Sequence, residues 1–76
     1  MSIEQQVKSA IEGAIPDATV SVAGGGGHFE IEVISPVFEG QRTLARQRLV
    51  YSAIQHLMAG DTAPVHAVDR LECRTP

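Results

Sequence analysis

Two of the three histidines, His28 and His66, stand near the start of alternating hydrophobic segments. His28 directly follows a glycine run at residues 24–27. If the two segments form neighbouring parallel strands, both imidazoles lie at one end of a sheet, where they could provide half of a tetrahedral metal site. A second protein or water would supply the remaining ligands. The spacing alone leaves open that either histidine is structural or merely exposed.

The glycine run predicts a hairpin turn and not a phosphate-binding loop. Phosphate loops lead into a helix whose N-terminal amides bind the anion, whereas this run leads into a strand. Two interpretations of the turn stay open: it is a flexible connection only, or it is pliable so that His28 can reach a shared ligand.

The chain carries no residue pattern typical of catalysis. No serine or cysteine stands at the spacing from a basic residue that known catalytic motifs require. No pair of acidic residues lies in a sequence context that is recognisable as forming a pocket. His56 is predicted on the solvent side of a helix, and Cys73 is predicted to point toward the core as a small hydrophobic residue. We therefore expect a protein that is not an enzyme.

The composition predicts one domain spanning residues 1–76. With 43% hydrophobic and 20% charged residues among 76, the chain can form one core but not two. Its single cysteine excludes an internal disulfide framework. The sequence shows neither a signal peptide nor a membrane span, so we expect a cytoplasmic protein with no membrane contact. The formal charge of −3 argues against general nucleic-acid binding.

The first half of the chain predicts a helix followed by a hairpin. The helix extends to about Ala14, and Ser2 with Gln5 fits a capping box at its start. The segments ATVSVA and HFEIEVI alternate hydrophobic and polar residues on either side of the glycines, which is the pattern of two antiparallel strands.

A second long helix is predicted over about residues 44–59. Its polar residues Arg46 and Gln47 fall at the edge of, or inside, the hydrophobic arc, so they must overhang the core or meet a partner. A right-handed crossover then makes the last strand parallel to a neighbour. The expected fold is α+β, with a three-stranded mixed sheet and helices packed on one face.

The last strand contains a break in its alternation. His66 and Val68 share one parity, whereas Leu71 and Cys73 share the other, so an unbroken strand would turn half of its hydrophobic set outward. One extra residue near Asp69 and Arg70, forming a β-bulge, would restore the register.

A set of short motifs covers most of the chain and carries a family resemblance. The motifs are His28-Phe29 at the start of strand two, Ser35-Pro36, Phe38-Glu39-Gly40, the Arg-x-Arg-x-Val-Tyr run ending at Tyr51, His66-Ala67, and the terminal Thr75-Pro76. Together they resemble the BolA family.

The resemblance implies the αββααβ fold, which is similar to the class II KH topology. It also implies a role in iron-sulfur cluster trafficking or iron sensing, in which the protein and a monothiol glutaredoxin bridge a 2Fe-2S cluster. In such complexes the glutaredoxin contributes a cysteine and a glutathione thiolate. The BolA-like partner contributes the histidine of the His-Ala motif, matched by His66, and a histidine or cysteine from the loop before strand two. His28 is the available residue for that second position.

Two departures from the family pattern accompany the resemblance. Gln47 stands where family members commonly have a histidine between the two arginines. The segment from His66 to the C-terminus is one residue longer than usual, which agrees with the bulge inferred from strand parity.

A second surface is predicted to contact a partner or nucleic acid. Its residues are Phe38, Gly40, Arg42, Arg46 and Arg48, and the arginines lie in the window 41–60, which contains no acidic residue. One alternative function is a KH-like, DNA-binding transcriptional regulator, although nothing between the helices supplies the GXXG loop of true KH domains. Another is an interaction module without metal, in which both histidines only cap strands. A weak homodimer is also left open.

Overall fold

The computed structural model describes residues 2–76 and confirms the predicted order of elements. The elements are α1 (Ile3–Ala14), β1 (Thr19–Gly25), β2 (His28–Ile34), a 3-10 helix (Pro36–Phe38), α2 (Thr43–Met58) and β3 (Ala67–Arg74). The first of the two middle helices in the expected αββααβ order is thus a single 3-10 turn. No helix among the described residues has the length and hydropathy of a membrane span.

Helix α1 begins at the predicted capping box. The Gln5 amide donates to the Ser2 hydroxyl at 3.1 Å, and the Ser2 amide donates to the Gln5 side-chain oxygen at 3.3 Å. Two amide donors at the helix start are therefore satisfied by local side chains. Val7 and Ile11, four residues apart on one face of the helix, are fully buried.

The sheet has the strand order β1-β2-β3, with β2 in the centre. Strand β1 is antiparallel to β2, and β3 is parallel to β2. Because alternate side chains of a strand point to opposite faces, Phe29, Ile31 and Val33 share one face, and all three are buried. They form one hydrophobic core with the helices, so the mixed sheet and its helix-covered face are as predicted.

Strand β3 contains the predicted bulge. Phe29 pairs with Val68 and Glu30 pairs with Arg70, so Asp69 has no partner residue on β2. The extra residue restores the register downstream, and Leu71 packs against the core as Val68 does upstream. The bulge thus lets both ends of one strand contribute hydrophobic side chains to the same face.

The segment after β2 is fixed by a buried serine. The Ser35 hydroxyl donates to the Pro16 carbonyl at 2.6 Å and accepts from the Val37 amide at 3.2 Å. The Ser35 amide donates to the Arg74 carbonyl at 2.9 Å. This serine, fully buried, therefore joins the end of the sheet to the loop after α1.

Candidate metal site at one end of the sheet

The parallel pairing of β2 with β3 brings the two predicted ligands to the same end of the sheet. His28 is the register partner of Ala67, the residue that follows His66. Both histidines are exposed. Their imidazoles are therefore available to a molecule that approaches this end of the sheet.

The hairpin turn that precedes His28 is built from two glycines with positive φ. Gly26 has φ 63° and Gly27 has φ 84°, and a two-residue hairpin turn of type I′ needs positive φ at both central residues. The Gly27 carbonyl accepts from the amides of His66 at 2.8 Å and Ala67 at 3.0 Å. The turn is thus bound to the start of β3.

Gly27 also provides the space in which the His66 ring lies. A Cβ atom at residue 27 would lie 2.0 Å from Cδ2 of His66, far inside van der Waals contact. The imidazole therefore packs directly over the glycine backbone. Only a glycine at this position permits that placement.

His28 has a carboxylate neighbour that the sequence did not predict. Its Nδ1 lies 3.2 Å from Oδ1 of Asp69, and the two side chains are 60% and 55% exposed. Asp69 is the bulge residue, so the break in the hydrophobic alternation of β3 was the sequence signal that marked this position. The contact itself was not predicted because it joins residues 41 positions apart.

The residues at this end provide only part of a metal coordination sphere. Within residues 2–76, no group of three or more His, Cys, Asp or Glu side chains could hold a metal ion. Two imidazole nitrogens are suitable ligands for zinc, copper or iron, and a four-coordinate ion needs further donors from outside the chain. Any metal bound here would therefore be shared with another molecule.

The cysteine lies away from the histidines. Cys73 pairs with Val33, near the opposite end of β2, and it packs against the core as predicted. Burial raises the pKa of its thiol, and the nearby Arg46 partly opposes that increase. His56 is exposed on α2, also as predicted.

The second predicted surface is only partly exposed. Phe38 is fully buried in the core, so its prediction as a contact residue is corrected: the lone aromatic of this loop anchors it from inside. Gly40 is exposed in the loop with φ 75°. Arg42 and Arg48 are exposed, and their role in binding a partner or DNA stays a prediction.

Arg46 is turned toward the protein. Its Nε donates to the Gln41 carbonyl at 2.8 Å, and its Nη1 donates to the Cys73 carbonyl at 3.2 Å. The guanidinium carbon lies 5.9 Å from the centre of the Phe38 ring, a cation–π distance. Arg46 therefore overhangs the core, one of the two outcomes that its position on the helix allowed.

Helix α2 also exposes large hydrophobic side chains that were not predicted as contact residues. Leu44 is 59% exposed, and Leu49 and Tyr51 are each 37% exposed. They lie outside the hydrophobic arc of the helix, and this position on the helix could have indicated from the sequence that they are exposed.

Comparisons with known proteins agree with the motifs. A family model described as BolA-like protein matches residues 5–76. A protein from Acinetobacter guillouiae, named for its place in the rpoN-murA intergenic region, is 36% identical over 64 residues, covering 84% of this chain and 75% of its own length. Protein BOLA2 from Arabidopsis thaliana is 31% identical over 80 residues, covering 100% of this chain and 82% of its own.

A solved structure shows the same similarity in three dimensions. The structure of a bolA protein homologue from Coxiella burnetii superposes with a TM-score of 0.81 at 40% identity, covering 100% of this chain and 94% of the other.

Proposed function

Because the chain belongs to the BolA family, we propose that it acts as a partner of a monothiol glutaredoxin and shares a bridging 2Fe-2S cluster with it. The observation that carries the proposal is the pairing of His28 with Ala67. This pairing puts His28 and His66 at one end of the sheet, where both side chains are exposed. A site with two donors from this chain has the composition expected of one half of a shared centre.

The proposed ligands divide between the two proteins. His66 and His28 bind on one side, and the glutaredoxin cysteine and a glutathione thiolate bind on the other. When bound, the cluster supplies one-electron redox chemistry, at a potential that histidine ligands raise relative to thiolates. Gly27 does not bind the cluster itself but positions His66. Its carbonyl accepts from the His66 amide, and its lack of a side chain leaves room for the His66 ring.

The exposure of both ligands favours a particular use of the cluster. His28 carries a side chain that is 60% exposed, and neither histidine is buried. Ligands at an open edge allow a cluster to be delivered or withdrawn without unfolding the core. We therefore favour iron-sulfur cluster trafficking or iron sensing over long-term storage, and we assign the protein no catalytic role.

Reconstitution with a monothiol glutaredoxin, glutathione, iron and sulfide tests this function. We would compare the visible absorption and circular dichroism of the mixture for wild type, His66→Ala and His28→Ala. His56→Ala is the matched control, because it removes an exposed histidine from α2 and not from the site.

Each result has a clear meaning. We expect both site variants to change the heterocomplex spectrum and the control to leave it unchanged. If the wild-type mixture gives the same spectrum as the glutaredoxin alone, the proposed function is wrong. If only His66→Ala changes the spectrum, the second ligand is a residue other than His28.

A further inference from the structure

We infer that Asp69 is a positioning residue that holds the His28 imidazole with its Nδ1–H toward the carboxylate, which would leave Nε2 free to bind a metal. The metal-binding part of this inference rests on the proposed function. The orientation of the ring does not, because it follows from a contact in the protein alone: Nδ1 of His28 lies 3.2 Å from Oδ1 of Asp69.

The β-bulge is what brings this carboxylate to the histidine. Val68 pairs with Phe29 and Arg70 pairs with Glu30, which leaves Asp69 as the additional residue between them. A regular strand would place a paired residue at that position. The bulge changes the direction of the side chain locally, as bulges commonly do beside functional sites.

The neighbouring cations are engaged elsewhere. Arg70 forms an ion pair with Glu72, and Arg74 forms one with Glu32 at 2.6 Å. Among residues 2–76, His28 is the one side chain that forms a hydrogen bond or ion pair with the Asp69 carboxylate. The carboxylate is therefore not diverted to a stronger cationic partner and can act on the imidazole.

A carboxylate restricts which ring nitrogen carries the proton. An ionised carboxylate only accepts hydrogen bonds, whereas a neutral imidazole has one donor and one acceptor nitrogen. Contact through Nδ1 therefore requires the proton on Nδ1 and leaves the lone pair on Nε2 for a metal. Carboxylates that bind metal-ligating histidines in this way fix both the tautomer and the ring orientation.

The two histidines are thus oriented by different means. The His66 ring is placed by packing over Gly27, and its side chain makes no hydrogen bond within residues 2–76. The His28 ring is placed by a hydrogen bond to Asp69. An exposed pair of this kind adds little to folding stability, so its main effect is on the geometry of the ligand.

Long-range ¹H–¹⁵N NMR of the free protein tests the inference without any cluster. At about pH 8.5, roughly two units above the ordinary histidine pKa, a neutral imidazole reports its tautomer through its two nitrogen shifts. We expect His28 of the wild type to carry its proton on Nδ1. We expect the Nε2–H form to appear in Asp69→Ala, because the acceptor is gone.

Two further variants make the test decisive. Asp61→Ala is the matched control, since it removes an exposed aspartate from the loop after α2 and should leave the His28 tautomer unchanged. Asp69→Asn preserves the size of the bulge residue, and its amide can also donate to Nδ1. The Nε2–H form should therefore appear in Asp69→Asn too, so this variant decides the question if Asp69→Ala fails to fold.

The heterocomplex provides the second readout. Loss of an outer carboxylate that orients a metal ligand weakens metal binding by about 10–100-fold, and we expect roughly the lower limit for Asp69→Ala because the pair is exposed. A wild-type His28 with its proton on Nε2 would overturn the inference. An Asp69→Ala variant with an altered tautomer but an unchanged heterocomplex would overturn the metal-binding part of the inference and leave the orientation of the ring established. If wild type forms no heterocomplex at all, the proposed function fails, while the NMR result still decides whether Asp69 sets the tautomer.

Discussion

The imidazole of His66 occupies the space that a side chain at residue 27 would need. A Cβ atom on Gly27 would lie 2.0 Å from the ring carbon Cδ2, whereas a Cβ atom on Gly26 would meet no heavy atom within 4 Å. Both glycines have positive φ. Both positions therefore need a backbone conformation that favours glycine, but only residue 27 lies against the ring of the proposed ligand His66.

This difference allows backbone strain to be separated from the placement of His66. We expect Gly26→Ala and Gly27→Ala each to lose about 1–2 kcal/mol of stability, the cost of an L-residue in the left-handed region. Only Gly27→Ala should displace the His66 ring and change the circular dichroism of the reconstituted heterocomplex. Equal spectral changes in the two variants would contradict the packing argument.

Arg46 should stabilise the fold, and Arg48 should not. Removing the Arg46 side chain leaves the Gln41 and Cys73 carbonyls without their donor, so we expect Arg46→Ala to lower the free energy of unfolding by about 1–3 kcal/mol. Arg48 is exposed, and Arg48→Ala should stay within about 0.5 kcal/mol of wild type. Urea denaturation measures both, and similar losses for the two variants would refute the assignment.

Ser35 should be more sensitive to substitution than a surface serine. Ser35→Ala leaves the Pro16 carbonyl and the Val37 amide without the hydroxyl they bind, at a cost of about 1–3 kcal/mol. Ser21, exposed on β1, is the matched control, and Ser21→Ala should change stability by less than about 0.5 kcal/mol. A shift in thermal or urea midpoint that is no larger for Ser35→Ala than for Ser21→Ala would argue against this role.

Cys73 should be a slow nucleophile in the folded protein. Burial raises the pKa of its thiol, and the thiolate is the reactive form, so alkylation should be slower in the native protein than in the urea-unfolded chain at the same pH. Comparison of the two alkylation rates checks this. A native rate equal to the unfolded rate would contradict the burial effect.

The same shift predicts the sign of a stability change at alkaline pH. The unfolded chain ionises its thiol at a lower pH than the folded protein, so the free energy of unfolding falls as pH rises through the ordinary thiol pKa. Below that pH the group contributes no pH dependence. Cys73→Ala should show a smaller alkaline decrease than wild type in urea titrations repeated across this range, and identical decreases would remove thiol ionisation as the cause.

The elements could be predicted because their signals are local. The capping box at Ser2 and the alternation around the glycines each involve neighbouring residues, and the structure contains both features. The bulge was predictable for the same reason, since the parity of Val68 and Leu71 can be read within one strand. Each of these patterns can therefore be read from residues close together in the chain.

The contacts that orient side chains were not predictable from the sequence. The hydrogen bond from Arg46 to the Cys73 carbonyl and the contact of His28 with Asp69 join residues 27 and 41 positions apart. Phe38 was misplaced on a surface because a single aromatic in a short loop has no periodicity to indicate burial. Such contacts depend on how the completed sheet and helices meet.

The Gly27 carbonyl accepts from the amides of both His66 and Ala67. These two hydrogen bonds hold the hairpin turn and the start of β3 together. Gly27 precedes His28 in the chain, so its peptide group links the backbones of the two histidines directly. When a second protein docks, the spacing of the two histidine backbones should therefore hold constant. Adjustment to the incoming surface is left to rotation about the side-chain bonds of His28 and His66.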